Sequence, residues 1–127
     1  MAIDLSIPVL VVDDYDSMLR VIRRVLNSVG FTDIDMASSG LDALSMMKRK
    51  KYGLVISDLN MEGMSGIQLL KYVRADQDLA ATPFIITTGD QRTQNAISAK
   101  EAGANNFILK PFNAATLTKK IEEVFPD

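Results

Sequence analysis

Three carboxylates in this sequence lie within two residues of the end of an apolar run, a position at which acids often form sites in parallel α/β sheets. Asp13 and Asp14 follow the β-branched run at residues 9–12, and Asp58 comes two residues after the run at residues 54–56. A run of that length is compatible with a buried strand or with part of a buried helix. The glycine before the second run and the turn residues after it favour a strand. Each acid could equally be an ordinary helix cap or turn residue.

A hydroxyl and an ammonium group occupy the equivalent places later in the chain. Thr87 and Thr88 end the apolar run that begins at Phe84, and Lys110 follows the run at residues 107–109. Because the carboxyl ends of parallel strands share one edge of a sheet, we expect these groups to meet the three carboxylates there. Taken singly, the threonine is as well explained as a helix cap, and the lysine as a solvated loop residue.

The combined set has a specific chemistry. Three crowded carboxylates repel one another, so a cation must offset their charge or one of them must bind a proton. Mg²⁺, or alternatively Mn²⁺, suits a site that offers only oxygen ligands. Lys110 and Thr88 would then contact the oxygens of a phosphoryl group, and Asp58 would be the nucleophile that forms an aspartyl phosphate.

Composition excludes several other classes of function. The 127 residues include neither cysteine nor histidine, which excludes disulfides, thiol nucleophiles, Ser-His catalysis and metal sites built on those side chains. A net charge of −2 gives no basic surface for nucleic acid. No apolar run approaches the roughly 18 residues of a membrane span, and the N-terminus lacks signal-peptide features. We therefore expect a cytoplasmic protein without membrane contact, made of one domain over residues 1–127 with no output domain.

Ten segments must position the reactive groups, five strands alternating with five helices. The predicted strands are Val9–Val12, Phe31–Ala37, Leu54–Ile56, Phe84–Thr87 and Phe107–Leu109. Apolar residues at three- and four-residue spacing predict the helices between and after them. The alternation predicts an α/β fold, a doubly wound five-stranded parallel sheet in a three-layer, flavodoxin-like arrangement.

Polar residues and glycine mark where the helices begin and end. Gly30 is the predicted stop of the first helix, and Ser38 or Ser39 is the predicted cap of the second. The fourth helix, Gln91–Glu101, is mostly polar, so we expect it to be the least tightly held. The fifth helix is predicted to begin at Asn113 or Thr116.

These pieces resemble the receiver domains of bacterial two-component response regulators, and among them the single-domain CheY-like type. The resemblance covers nearly the whole chain, from the VLVVDD segment to the last helix. It depends on an ordered set of residues: Asp13-Asp14, the Asp58-Leu59-Asn60-Met61 turn, Gly66, Thr88 and Lys110-Pro111-Phe112.

The resemblance implies a phosphorelay role for the acidic site. Asp58 would accept a phosphoryl group from a histidine kinase or a histidine phosphotransfer protein. Asp14, Asp58 and the main-chain carbonyl of Asn60 would bind Mg²⁺, and Asp13 would contribute mainly through water. Such a protein is a phosphoacceptor rather than an enzyme with turnover, apart from its self-catalysed phosphotransfer and dephosphorylation.

The resemblance also implies a switch. Thr88 and Lys110 would contact the phosphoryl group, and Phe107 stands where the family has its switch aromatic. The face formed by the fourth helix, fifth strand and fifth helix would contact a downstream protein target, and the chain would act as a monomer. Asn60 and Asp90, two residues after the acceptor and the threonine, would modulate self-dephosphorylation.

Two positions depart from the family pattern. Glu62 replaces the usual proline four residues after the acceptor, and Phe107 lacks the hydroxyl of the tyrosine common in chemotaxis proteins. The Lys110-Pro111 peptide is similar to one that is cis in the family. Three residues flank the site and are candidates for docking the phosphodonor: Tyr15, Met18 and Leu19.

Two other classes compete with this interpretation. The Asp14-Tyr15-Asp16 segment also resembles the Asp-x-Asp motif of haloacid-dehalogenase-like phosphohydrolases, although no later strand ends in the acidic pair that such enzymes need. A flavodoxin-like cofactor binder needs a loop that cradles phosphate after the first strand. This chain has carboxylates there, which would repel a phosphate.

Overall fold

The computed structural model describes residues 3–125, which form five strands and five helices in alternation. The strands are β1 (Val9–Val12), β2 (Ile34–Ala37), β3 (Leu54–Asp58), β4 (Phe84–Thr88) and β5 (Asn106–Leu109). The helices are α1 (Asp16–Val29), α2 (Gly40–Arg49), α3 (Gly66–Ala75), α4 (Thr93–Glu101) and α5 (Ala114–Val124). Within residues 3–125, no helix combines the length and the apolar character needed to cross a membrane.

The strands form one sheet in the order β2-β1-β3-β4-β5, and every neighbouring pair is parallel. Parallel neighbours require a crossover connection, and each crossover here contains a helix. Strands β1, β3 and β4 are buried along their whole length, which explains why their sequences are continuous rather than alternating apolar runs. The predicted doubly wound, flavodoxin-like fold is confirmed.

The sheet separates two clusters of buried apolar side chains. We call them the α2–α4 core, which packs against α2, α3 and α4, and the α1–α5 core, which packs against α1 and α5. Successive residues of β1 divide between them, with Leu10 and Val12 in the first and Val9 and Val11 in the second. Helices therefore pack on both faces of the sheet and hold its strand ends in place.

Side-chain caps explain where three of the helices begin. Ser39 accepts a hydrogen bond from the N–H of Asp42 at the start of α2. Asn113 does the same for the first turn of α5, and Ser65 forms a capping box with Gln68 at the start of α3. Helix α4 makes no side-chain cap bond and buries only Ala99, as expected for the least tightly held helix.

One strand begins later than its apolar pattern predicts. Strand β2 starts at Ile34 rather than Phe31, because the N–H of Phe31 donates to the carbonyl of Leu26 and so completes the end of α1. Gly30, at φ 124°, supplies the turn that this arrangement requires. The Phe31 ring is fully buried in the α1–α5 core. Its apolar character therefore reflects a buried helix end rather than a strand.

Candidate functional site

The carboxyl ends of β1 and β3 bring the three predicted acids together. Asp13 directly follows β1, and Asp58 is the last residue of β3. Oxygen atoms of Asp13, Asp14 and Asp58 all lie within 4.8 Å of one another. Asp16, the second acid of the competing phosphohydrolase motif, has a side chain that is 80% exposed and does not belong to this group.

Lys110 reaches this acidic group from the loop after β5. Its Nζ lies 3.0 Å from Oδ1 of Asp58 and 3.3 Å from Oδ2 of Asp13. The side chain of Lys110 is only 14% exposed, so water screens these contacts weakly. The Lys110-Pro111 peptide is cis, as the resemblance suggests.

Asp58 is an acid in a partly desolvated place. Its residue exposure is 5%, and burial raises the pKa of its carboxyl group. The hydrogen bond and the charge of Lys110 oppose that rise, whereas the nearby Asp13 charge adds to it. Any further positive charge that approaches Asp58 would therefore stabilise its ionised carboxylate.

The donor set fits a hard divalent cation. Oδ2 of Asp14 accepts a hydrogen bond of 2.9 Å from the N–H of Glu62, whereas its Oδ1 is buried without a partner. An orphaned buried carboxylate oxygen is costly unless a cation or water meets it. Oδ1 of Asp13 accepts the N–H of Tyr15 at 3.0 Å, which fixes the orientation of that carboxylate.

The two adjacent threonines differ in their hydrogen bonds. Both are fully buried. Oγ1 of Thr88 accepts the N–H of Asp90 at 3.1 Å and lies 3.5 Å from Nδ2 of Asn60. The hydroxyl of Thr87 has no partner among the described residues. The Thr88 hydroxyl therefore contacts the loops after β3 and β4, whereas the Thr87 hydroxyl contacts neither.

A cavity of about 550 Å³ opens over Asp58. It is lined by Tyr15, Met18, Asp58, Asn60, Gly89, Asp90, Lys110 and Pro111. A larger concavity of about 850 Å³ lies beside Tyr52, Gly53 and Pro83, which precede β3 and β4. It is therefore at the opposite edge of the sheet and holds none of the acidic group. The smaller cavity contains the reactive groups, so it is the candidate site.

Gly66 allows α3 to begin directly against the acceptor strand. A Cβ atom at this position would lie 2.2 Å from the carbonyl oxygen of Asp58, a distance that backbone atoms cannot accommodate. The N–H of Gly66 also donates to the carbonyl of Leu59 at 2.9 Å. The sequence marks Gly66 as part of the motif, and the structure gives the reason for a glycine there.

The structure adds two site features that the sequence reasoning missed. The N–H of Glu62 orients Asp14, and the Glu62 side chain is exposed. Arg92 pairs with Asp90 at the edge of the cavity. The only sequence signal for that pair is two opposite charges two residues apart.

Phe107 is half-buried and packs against the α2–α4 core.

Comparison with known proteins identifies the family. The sequence model of the family described as the response regulator receiver domain matches residues 9–122 of this chain. Chemotaxis protein CheY-3 of Vibrio cholerae is 40% identical over 120 residues, covering 94% of this chain and 92% of the relative. Chemotaxis protein CheY of Pseudomonas aeruginosa is 39% identical over 117 residues, covering 92% and 94%.

A solved structure agrees with these matches. The structure of the chemotaxis protein CheY4 of Vibrio cholerae superposes with a TM-score of 0.86 at 30% identity, covering 94% of this chain and 98% of that one. The matched span includes Asp13, Asp58 and Lys110, and the exposed Asp16 lies outside their cluster. This chain belongs to the family of response regulator receiver domains, the receivers of two-component signalling.

Proposed function

We propose that the chain is a CheY-like phosphoacceptor that takes a phosphoryl group on Asp58 and passes a signal through protein contacts. The observation that carries the proposal is the position of Lys110, whose Nζ contacts Asp58 and Asp13 within a cluster of three carboxylates. A buried acid with a lysine on one oxygen has its second oxygen available for attack on phosphorus.

The transfer step takes place between the Asp58 carboxylate and a phosphohistidine of the donor. An oxygen of Asp58 forms a bond to phosphorus while the bond from phosphorus to a nitrogen of the donor's histidine breaks. The electron pair of that bond remains on the histidine nitrogen. Lys110 and the hydroxyl of Thr88 contact the phosphoryl oxygens and stabilise the charge that they carry. The donor is a histidine kinase or a histidine phosphotransfer protein.

Asp14, Asp58 and the main-chain carbonyl of Asn60 are the proposed ligands of Mg²⁺, and Asp13 acts mainly through water. The orphaned Oδ1 of Asp14 supports this assignment. When bound, the ion neutralises carboxylate and phosphoryl oxygens that would otherwise repel each other. Mn²⁺ has the same preference for oxygen ligands.

Two surfaces suit the partners of such a protein. Tyr15 is 67% exposed at the edge of the cavity, so the start of α1 is the proposed docking place of the phosphodonor. Leu19 is only 4% exposed and belongs to the α1–α5 core, so its prediction as a docking residue is wrong. Ile97 and Leu109 are exposed on α4 and at the end of β5. With the half-buried Phe107, they support a target surface on α4, β5 and α5. The names of the relatives favour chemotaxis as the process.

Incubation of the purified protein with acetyl phosphate and Mg²⁺ tests the proposal. Wild type is expected to take up one phosphoryl group, measured by phosphate-affinity electrophoresis. Asp58→Asn is expected to take up none, because it lacks the nucleophile. Asp16→Ala is the matched control and should be labelled like wild type, since the Asp16 side chain lies outside the cluster. Label that persists in Asp58→Asn and disappears in Asp16→Ala would refute the proposal.

A further inference from the structure

Arg92 holds the carboxylate of Asp90 at the edge of the cavity over Asp58. The main-chain N–H of Arg92 donates to Oδ1 of Asp90 at 3.0 Å. Its Nε donates to Oδ2 at 2.8 Å, and its Nη2 donates to the same oxygen. These hydrogen bonds from Arg92 lower the pKa of the Asp90 carboxyl group to about 2.

Asp90 is placed where a carboxylate could act on the phosphoryl group of Asp58. Both acids line the same cavity. The N–H of Asp90 donates to Oγ1 of Thr88, and Asn60 approaches that hydroxyl from the loop after β3. Apart from Asp58 itself, Asp90 is the only carboxylate among the residues that line this cavity.

Hydrolysis of an aspartyl phosphate requires a water molecule in line with the bond that breaks. The oxygen of the water forms a bond to phosphorus, and the bond from phosphorus to the Asp58 oxygen breaks with its electron pair left on the carboxylate. Both protons of the water leave with the phosphate product. Asp58 is 5% exposed and faces solvent through this cavity, so the water must enter there. A carboxylate at the entrance is a hydrogen-bond acceptor that can orient it.

We propose that Arg92 is a positioning residue that withholds Asp90 from this water and thereby prolongs the life of the phosphoryl group. A carboxylate has about four lone-pair sites, and Arg92 donates three hydrogen bonds to those of Asp90. Removal of the guanidinium frees both sites on Oδ2. The inference rests on the proposed function, because it concerns the loss of phosphate from Asp58.

The test measures the decay of phosphorylated protein after removal of the donor. Each variant is loaded with acetyl phosphate and Mg²⁺, desalted, and sampled over time by phosphate-affinity electrophoresis. Arg92→Gln is expected to lose phosphate roughly two- to tenfold faster than wild type, the effect of gaining one oriented hydrogen bond in the transition state. In an Asp90→Asn background, Arg92→Gln is expected to change the decay rate little.

Arg20→Gln is the matched control. Arg20 is an exposed arginine whose guanidinium lies 4.0 Å from the carboxylate of Asp16. Its replacement by glutamine removes one positive charge, as Arg92→Gln does. Phosphorylated Arg20→Gln is expected to lose phosphate at the wild-type rate. A decay of Arg92→Gln equal to or slower than that of wild type would overturn the inference, and so would equal acceleration in the Asp90→Asn background. Failure of every protein to take up label would instead overturn the proposed function itself.

Discussion

At the scale of single residues, the two threonines that end β4 differ in the contacts of their hydroxyl groups. Thr87 pairs in register with Asp58, yet its buried hydroxyl has no partner. Thr88 uses its hydroxyl as an acceptor for groups on two loops. A buried hydroxyl without a hydrogen bond lowers stability, whereas a bonded one contributes to it.

We expect Thr87→Val to raise the free energy of unfolding by about 1 kcal/mol, because it removes an unsatisfied buried polar atom with little change in volume. Phosphate uptake from acetyl phosphate should be unchanged in that variant. Thr88→Val should slow uptake, because it removes the hydroxyl that is proposed to contact the phosphoryl group. Urea denaturation measures the first effect and phosphate-affinity electrophoresis the second. Equal slowing in both variants would contradict the assignment.

The residues of the acidic site were predictable because each stands at a strand end. Asp13, Asp58 and Lys110 follow apolar runs, and a parallel sheet places all such ends at one edge. The bond between Arg92 and Asp90 was not predictable, because it depends on the path of a loop that no periodic pattern describes. The orphaned hydroxyl of Thr87 likewise depends on the orientation of one side chain in a packed core.

At the scale of elements, a polar cluster joins the end of α2, the edge strand β2 and the entry to β3. Nζ of Lys50 lies 3.0 Å from Oδ1 of Asp33 and 3.0 Å from Oδ2 of Asp35. The hydroxyl of Tyr52 donates to Oδ2 of Asp35 at 2.7 Å. The hydrogen bond from that hydroxyl is the largest single cause that lowers the pKa of Asp35, followed by the hydrogen bond from Lys50. The cluster therefore fastens an edge strand whose own residues are mostly half-buried.

Tyr52→Phe is expected to lower the free energy of unfolding by about 1 kcal/mol at neutral pH, because it removes a hydrogen bond to a carboxylate. Since the pKa of Asp35 is depressed in the folded protein, the contribution of this bond is present above the unfolded value of 3.8. It is lost as the pH falls through the folded pKa. Urea denaturation should therefore show a smaller difference in unfolding free energy between wild type and Tyr52→Phe at pH about 3 than at neutral pH.

The hydrogen bond from Tyr52 to Asp35 is also lost at high pH, where the tyrosine hydroxyl loses its proton. Burial, followed by the bond to Asp35, raises the pKa of Tyr52 to about 12 from 10.0. The contribution of Tyr52 is accordingly complete below pH 10.0 and is lost as the pH rises towards 12. Tyr72→Phe is the control, because Tyr72 is 59% exposed. A Tyr52→Phe defect that stayed constant with pH would contradict the role given to the hydroxyl.

Element order was predictable from apolar spacing, but the starts of β2 and α4 were not. The apolar spacing of β2 continues back to Phe31, although that ring belongs to the end of α1. Helix α4 begins at Thr93 rather than Gln91, because the Asp90 side chain accepts the N–H of Arg92 and holds that residue outside the helix. Both shifts come from local hydrogen bonds that compete with regular structure.

At the scale of the whole molecule, stability and the acidic site should be coupled. Three carboxylates lie within 4.8 Å of one another, and the repulsion between Asp58 and the Asp13-Asp14 pair arises only when the chain folds. A cation that binds the folded chain alone shifts the unfolding equilibrium by mass action. The net charge of −2 is small, so this effect should come from the site rather than from general screening.

We expect Mg²⁺ at a hundredfold excess over its Kd to stabilise the fold by about 2.7 kcal/mol, measured as a rise in Tm by calorimetry. Asp14→Asn should lose most of that rise, because it alters the carboxylate with the orphaned oxygen. Asp16→Asn makes the same chemical change outside the cluster and should keep it. An equal loss in both variants would show that the rise is not specific to the site.

The fold as a whole was predictable because five strands alternate with five helices without interruption, which leaves few topologies for one parallel sheet. The identity of the phosphodonor and of the target was not predictable. Exposed side chains such as Tyr15 and Ile97 are available to a partner, but the surface that they would contact belongs to a second molecule.

Because the sheet separates the interior into two clusters, the five phenylalanines can report on each side of the sheet separately. Phe84 and Phe107 lie on the α2–α4 side, whereas Phe31, Phe112 and Phe125 lie on the α1–α5 side. The chain has five phenylalanines, so incorporation of fluorine-labelled phenylalanine would give a simple spectrum of five resonances. A rearrangement confined to α4 would move the first two signals and leave Phe31 as an internal reference within the same molecule.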